Sequence, residues 1–145
     1  ATGEPTLFIN RAAKLGNGTL QASVYPSGGD PVGLVFRGSD AGYYRLDLTP
    51  ELPDTVSKAR LTRVDGTTET RIGEATLADF TGYKVNAWQV VSVTAVGSQI
   101  KVAVDGKTIL EVSDSRYSEG WTGVWTVTGF GAQFDNVRLL QAASR

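Results

Sequence analysis

Asp105-Gly106 stands between QIKVAV and KTILEVS, and Asp65-Gly66 between KARLTRV and TTETRIG. An Asp-Gly pair between two alternating runs constrains the chain strongly. A two-residue type I′ turn needs positive φ at both central residues, which Asp tolerates and Gly adopts freely. Each pair commits its flanks to antiparallel strands. Gly97-Ser98 is a third candidate turn. The remaining chain repeats the pattern. Residues 18–26, 32–38, 43–48, 58–66, 69–75, 88–97, 99–106, 107–114, 121–129 and 132–140 read as short strands rich in Val and Thr. The segment TPELPDTVS (49–57) carries two prolines and reads as a loop. TLADFTGYKVNA (76–87) fits a long loop or one short helical turn. No long helix, internal repeat or linker is visible. About ten such strands predict two packed antiparallel sheets or a barrel.

Alternation also predicts which side chains meet. Leu34 and Phe36 share one strand face, and Tyr44, Leu46 and Leu48 share another. In the central hairpin, Val91, Val93 and Ala95 oppose Ile100, Val102 and Val104. Trp88 opens that hairpin and is expected in the core. The opposite faces carry Arg37 on one strand and Tyr43, Arg45 and Asp47 on the next.

Composition narrows the function classes. With 145 residues, 41% of them hydrophobic, the chain reads as one domain over 1–145 with a proper core. Net charge is −1 and no basic block occurs, which argues against nucleic acid or an anionic membrane as partner. No apolar run reaches membrane-spanning length. The sequence begins ATGEP and lacks methionine, so it reads as a processed module of a larger chain with other domains attached. Cysteine and histidine are absent, which removes disulfides, thiolate or imidazole zinc sites, and Ser-His or Cys-His nucleophile pairs. A cysteine-free chain fits a secreted or cell-surface bacterial protein. Any metal would be a hard cation held by oxygens.

The ordered series VGLVFRGSDAGYYRLDL, WQVVSVTAVGSQIKVAVDGKTILEVSD, GWTGVWT and FDNVRL, spread over residues 18–140, resembles the concanavalin A-like jelly roll. The likeness is greatest to its laminin G-like and carbohydrate-binding branches in bacterial secreted glycoside-active proteins. The resemblance implies an all-β, two-sheet antiparallel jelly-roll sandwich with one convex and one concave sheet. Ligands in such families lie on the concave face or in the loops at one edge.

The stretch SEGWTGVWT (118–126) then poses a choice. On a strand, Trp121, Gly123 and Trp125 share one face, and Thr122, Val124 and Thr126 the other. Greasiness alone favours tryptophans inside. The resemblance instead puts Val124 between the sheets and Trp125 on the concave face, partly exposed. With Trp121, Tyr43, Arg37, Arg45 and Asp47, Trp125 would make a platform that stacks on sugar rings and hydrogen-bonds their hydroxyls. The competing interpretation is structural: Arg–Asp pairs and tryptophans that simply cover a sheet.

Asp135 in FDNVRL has the parity of Val137 and Leu139, which predicts an inward carboxylate in need of a partner. The resemblance implies one structural calcium joining Asp135 to backbone oxygens near Asn17 and Gly18; the alternative is an aspartate that accepts backbone N–H bonds. The N-terminal aspartate common in such families is missing here. Catalysis by paired carboxylates finds little footing. The nearest string to a jelly-roll glucanase motif, ETRIGE, puts arginine at the aspartate position. Its Glu69 and Glu74 stand five apart, on opposite faces unless a bulge intervenes. Three functions therefore stand before the structure: a non-catalytic, lectin-like carbohydrate-binding module for an oligo- or polysaccharide, a laminin G-like adhesion or spacer domain, and a glycan hydrolase or lyase.

Overall fold

A computed structural model describes residues 5–26, 31–49, 58–76, 87–127 and 132–141. The expectations for 49–57 and 76–87 fall almost wholly outside these residues. Eleven strands are described: β1 (Pro5–Leu15), β2 (Gly18–Pro26), β3 (Val32–Gly38), β4 (Gly42–Thr49), β5 (Lys58–Asp65), β6 (Thr68–Thr76), β7 (Gln89–Val96), β8 (Gln99–Val104), β9 (Lys107–Ser113), β10 (Gly120–Val127) and β11 (Ala132–Gln141). They form a six-stranded sheet in the order β1-β10-β3-β4-β5-β6 and a five-stranded sheet in the order β11-β2-β7-β8-β9. All described pairings are antiparallel. The protein is thus the all-β, two-sheet sandwich that the turns and alternation predict.

The core lies between the sheets. Leu34, Phe36, Tyr44, Leu46, Leu48 and Leu61 from the six-stranded sheet meet Leu20, Val24, Val91, Val93, Ile100 and Val102 from the other, all buried. The hairpin turns follow local chemistry. Asp105 (φ 51°) and Gly106 (φ 83°) form the expected two-residue turn with both φ positive. At the β5–β6 hairpin Asp65 pairs with Thr68, so the loop is Gly66-Thr67 and only Gly66 (φ 63°) is left-handed.

Five bulges among the described residues break the period of two; one lies in β9, where Ile109 is extra between Thr108 and Leu110. β1 takes four steps from Asn10 to Lys14 where β10 takes a single step from Thr122 to Trp121. That interruption explains why PTLFINRAAKL did not read as a strand. In β3 the bulge falls at Arg37 (φ 53°), and in β11 at Asn136 (φ 51°). In β6 one extra residue separates Arg71 from Gly73. Each bulge shifts the phase of the residues beyond it.

At Arg37 the consequence is large. Its side chain leaves the outer face and is fully buried at one end of the sandwich, 1% exposed. The guanidinium donates to three backbone carbonyls: Gly16 O at 2.7 and 3.2 Å, Gly97 O at 2.8 Å and Tyr117 O at 3.2 Å. Arg37 therefore ties together the β1–β2 turn, the β7–β8 turn and the β9–β10 connection. Burial lowers its pKa, and carbonyl dipoles stand where a carboxylate counter-ion would. It does not join Tyr43, Arg45 and Asp47, as plain alternation predicts.

Beside it lies a polar network. Arg63 bridges Asp65 (2.9 Å) and Asp114 (2.7 Å), Tyr117 donates to Asp65, and Tyr44 donates to Asp114 at 2.5 Å. Burial and the Asp114 contact push the Tyr44 hydroxyl up to about 12.

Candidate functional site

The outer face of the six-stranded sheet gathers most of the side chains marked for binding. Val124 packs against the main core, so Trp121 and Trp125 point the other way, as the resemblance implies. Their exposure differs from expectation. Trp121 is 7% and Trp125 4% exposed, enclosed with Val35, Leu7 and Tyr43 in a second, smaller apolar cluster. The two rings are therefore no open platform. Trp125 lies across Gly33 and donates its indole N–H to Leu46 O at 2.9 Å. The Arg45 guanidinium covers its other surroundings, 5.2 Å from the ring centroid. Trp121 packs against Tyr43, with centroids 5.3 Å apart.

Cross-strand register extends this face into a charged row. Asp47 opposes Arg60, which opposes Glu74; Arg45 opposes Thr62, which opposes Arg71; Tyr43 opposes Val64, which opposes Glu69. Arg45 is the hub. It bonds Asp47 at 2.8 Å and Glu69 at 3.1 Å. Arg71 reaches Glu74 at 3.3 Å, and Arg60 lies 3.9 Å from the same carboxylate. Burial would lower the Arg45 pKa, but Glu69 and Asp47 outweigh it and hold the group firmly cationic. At Asp47 burial wins over Arg45, and the carboxyl is raised above its ordinary range.

Arg60, Thr62 and Arg71 were missed as site residues in the sequence, and Glu69 and Glu74 were weighed there only as a catalytic pair and set aside. The bulge in β6 turns Glu69 and Glu74 to the same face, so the spacing of five no longer separates them. The one sequence signal for that bulge is the neighbouring Gly73; Ile72 itself is an ordinary strand residue, and it packs against the core.

Two further expectations are corrected. Trp88 is 50% exposed, tilted against Tyr25 at 5.4 Å, and belongs to the outer face of the five-stranded sheet. It precedes Gln89, and the inward phase of β7 runs through Gln89, Val91, Val93 and Ala95. Asp135 is exposed and accepts the Asn136 N–H at 2.8 Å. The Asn136 bulge resets the phase, so Phe134 and Leu139 reach the core while Val137 is 52% exposed. Asp135 pairs with Ser23 while Gly18 pairs with Gln141. The ends of that ladder lie five residues apart on β2, about 16 Å at strand rise. Asn17 meanwhile accepts the Gly97 N–H. Asp135, Asn17 and Gly18 therefore do not fit one calcium ion. No group of three or more acidic side chains is placed to hold a metal among the described residues.

A separate cavity of about 410 Å³ opens beside Trp121, lined by Arg11, Lys14, Gly38, Ser39, Asp40, Glu119 and Gly120.

No protein family matches the sequence, and no curated protein is detectably similar to it. Solved structures do match. The carbohydrate-binding module CBM66 from Bacillus subtilis aligns with a TM-score of 0.79 at 18% identity, over 97% of this chain and 84% of that one. Lactose- and MES-liganded congerin II aligns at 0.70 and 12% identity, over 92% and 99%. A Bacillus subtilis protein of unknown function with a galectin-like fold aligns at 0.69 and 11% identity, over 100% and 81%. At these identities the likeness establishes the jelly-roll, galectin-like sandwich and nothing finer.

Proposed function

We propose that this protein is a non-catalytic carbohydrate-binding module. It belongs with the concanavalin A-like jelly rolls, and its 145 residues form one module of a larger exported bacterial protein. The observation that carries the proposal is the Arg45 hub. On a sheet face that the main core does not use, one arginine is held by two carboxylates above a tryptophan. Tyr43 lies on the same face, and Arg71 and Glu74 extend it two strands further. Fixed charged groups of both signs are suited to hydroxyls, which donate to carboxylates and accept from guanidinium. Groups already held in place lose little freedom when a ligand arrives. Recognition on this face is chiefly polar. The tryptophans support the array from beneath, and Trp125, Trp121, Tyr43, Arg45 and Asp47 keep their place in the site as floor and hub. Arg37 contributes only through the fold.

The fold relatives agree with this reading, since one is described as a carbohydrate-binding module and another holds lactose. A glycan array followed by isothermal titration tests it. Glu69→Gln and Arg71→Ala alter half-exposed or exposed side chains and leave the fold intact. Each is expected to weaken binding about tenfold, the equivalent of about 1.4 kcal/mol. A silent array, or titrations that neither substitution changes, would sink the proposal.

A further inference from the structure

The geometry points to a second ligand pocket, at the end of β10, that takes an uncharged, hydroxyl-rich sugar unit; this rests on the carbohydrate-binding reading and adds a distinct site to it. The cavity beside Trp121 is built from several independent departures from regular strand. The β1 bulge carries Arg11 outward and delivers Lys14 opposite Trp121. Asn10 stabilises that bulge by accepting the Ala12 N–H at 3.0 Å, and Thr122 donates to Ala13 O at 2.8 Å. On the other side the β3–β4 turn is closed by paired Ser39 and Gly42 backbone bonds of 2.8 and 3.2 Å, which hold Asp40 at its tip.

Two glycines keep the floor open. A Cβ on Gly38 would stand 2.2 Å from the Trp121 ring, and one on Gly120 would stand 2.1 Å from Gly38 O. Real side chains do not tolerate such contacts, so the ring rests directly on backbone and presents only a margin to the cavity.

The charges around that floor define the ligand. Arg11, Asp40 and Glu119 line the cavity and make no ion pair or side-chain hydrogen bond among the described residues. Two carboxylates disfavour an anion, and Arg11 disfavours a bare cation. A neutral polyol satisfies both sets, because each hydroxyl can donate to a carboxylate and accept from the Arg11 guanidinium. The apolar Trp121 margin suits the C–H face of a sugar ring. The volume lies within the range of small-ligand sites. Trp121 and Trp125 share a face four residues apart on β10, about 13 Å at strand rise, so the pocket is centred away from the Arg45 hub although Trp121 borders both.

The test is a set of 1H–15N NMR titrations with free glucose, galactose, mannose, fructose and N-acetylglucosamine, each repeated at high salt. Sodium acetate and sodium phosphate serve as anion probes. At least one sugar is expected to shift the amides of Gly38, Ser39, Asp40, Glu119 and Gly120. The apparent affinity should be unchanged by salt, and should fall about tenfold in Asp40→Asn/Glu119→Gln. Both positions are exposed, and the dispersion of the spectrum verifies folding. Shifts confined to the Arg45 and Glu69 face, unaltered by the double substitution, would overturn the pocket while leaving the carbohydrate reading in place. Response there to acetate or phosphate but to no sugar would overturn it as well. Absence of any sugar response together with a silent array would remove both.

Discussion

Replacing Arg37 by methionine keeps most of the buried stem and removes the guanidinium. In the native protein that group makes four hydrogen bonds to the carbonyls of Gly16, Gly97 and Tyr117, at 2.7 to 3.2 Å. Bonds to a charged group are worth about 1.5–3 kcal/mol each, so the gross loss is several times that figure. Two effects reduce it. The desolvation cost of the buried cation disappears, and the freed turn carbonyls can reach water once the clamp is gone. A net loss of about 3–5 kcal/mol remains, at the upper end for single substitutions. For a domain of this size about 3 °C is lost per kcal/mol, so the melting temperature should drop by about 10–15 °C. Arg37→Gly makes a control, because the left-handed backbone at φ 53° costs a β-carbon residue about 1–2 kcal/mol that glycine escapes. It also loses the buried stem, and the cavity costs about 2–5 kcal/mol, more than the backbone relief, so Arg37→Gly should melt below Arg37→Met. The assay is thermal and urea unfolding followed by tryptophan fluorescence, with hydrogen exchange at the Gly97 amide. An Arg37→Met melt within about 2 °C of wild type, less than a single net hydrogen bond, would refute the clamp.

Trp125→Ala should cost about 3–5 kcal/mol, since it empties a buried site and orphans Leu46 O, whereas half-exposed Trp88→Ala should cost about 1 kcal/mol; paired melts give the order. Acid should destabilise the network at the sandwich end. Burial raises the Asp114 carboxyl, but Tyr44, the Arg116 N–H and Arg63 lower it further, and Tyr117 and Arg63 lower Asp65. Both carboxyls titrate lower in the folded than in the unfolded chain. Their contribution is full above the ordinary carboxylate range and is lost as pH falls through the depressed folded values. Asp114→Asn should flatten the acid limb of a stability-versus-pH curve, and an unchanged limb would refute the assignment. Asp47, raised by burial, works in the opposite sense over its own window. Because Asp135, Asn17 and Gly18 do not converge, a chelator should leave the melt unchanged, and exposed Asp135→Ala should cost less than about 1 kcal/mol; a chelator-induced fall abolished by Asp135→Ala would contradict the geometry.

The parts of this protein set by neighbours in sequence were legible in it. Alternating runs, the Asp105-Gly106 turn and the pairing of Val91, Val93 and Ala95 with Ile100, Val102 and Val104 depend on local φ preferences and a side-chain period of two. The facing of Trp121 and Trp125 came with the resemblance and the same period. What the sequence did not determine was phase beyond a bulge. Arg37 and Ile72 are unremarkable strand residues, and Asn136, though asparagine tolerates the left-handed backbone, does not announce a bulge by itself; yet the extra residue at each redirects a side chain or a whole half-strand. That placed Arg37 inside, Asp135 outside, and Glu69 on one face with Glu74. A bulge is favoured by its context: three carbonyls awaiting a donor at Arg37, or Phe134 and Leu139 both needing the core. Those partners lie on strands distant in sequence, so only the tertiary structure could decide where the alternation breaks.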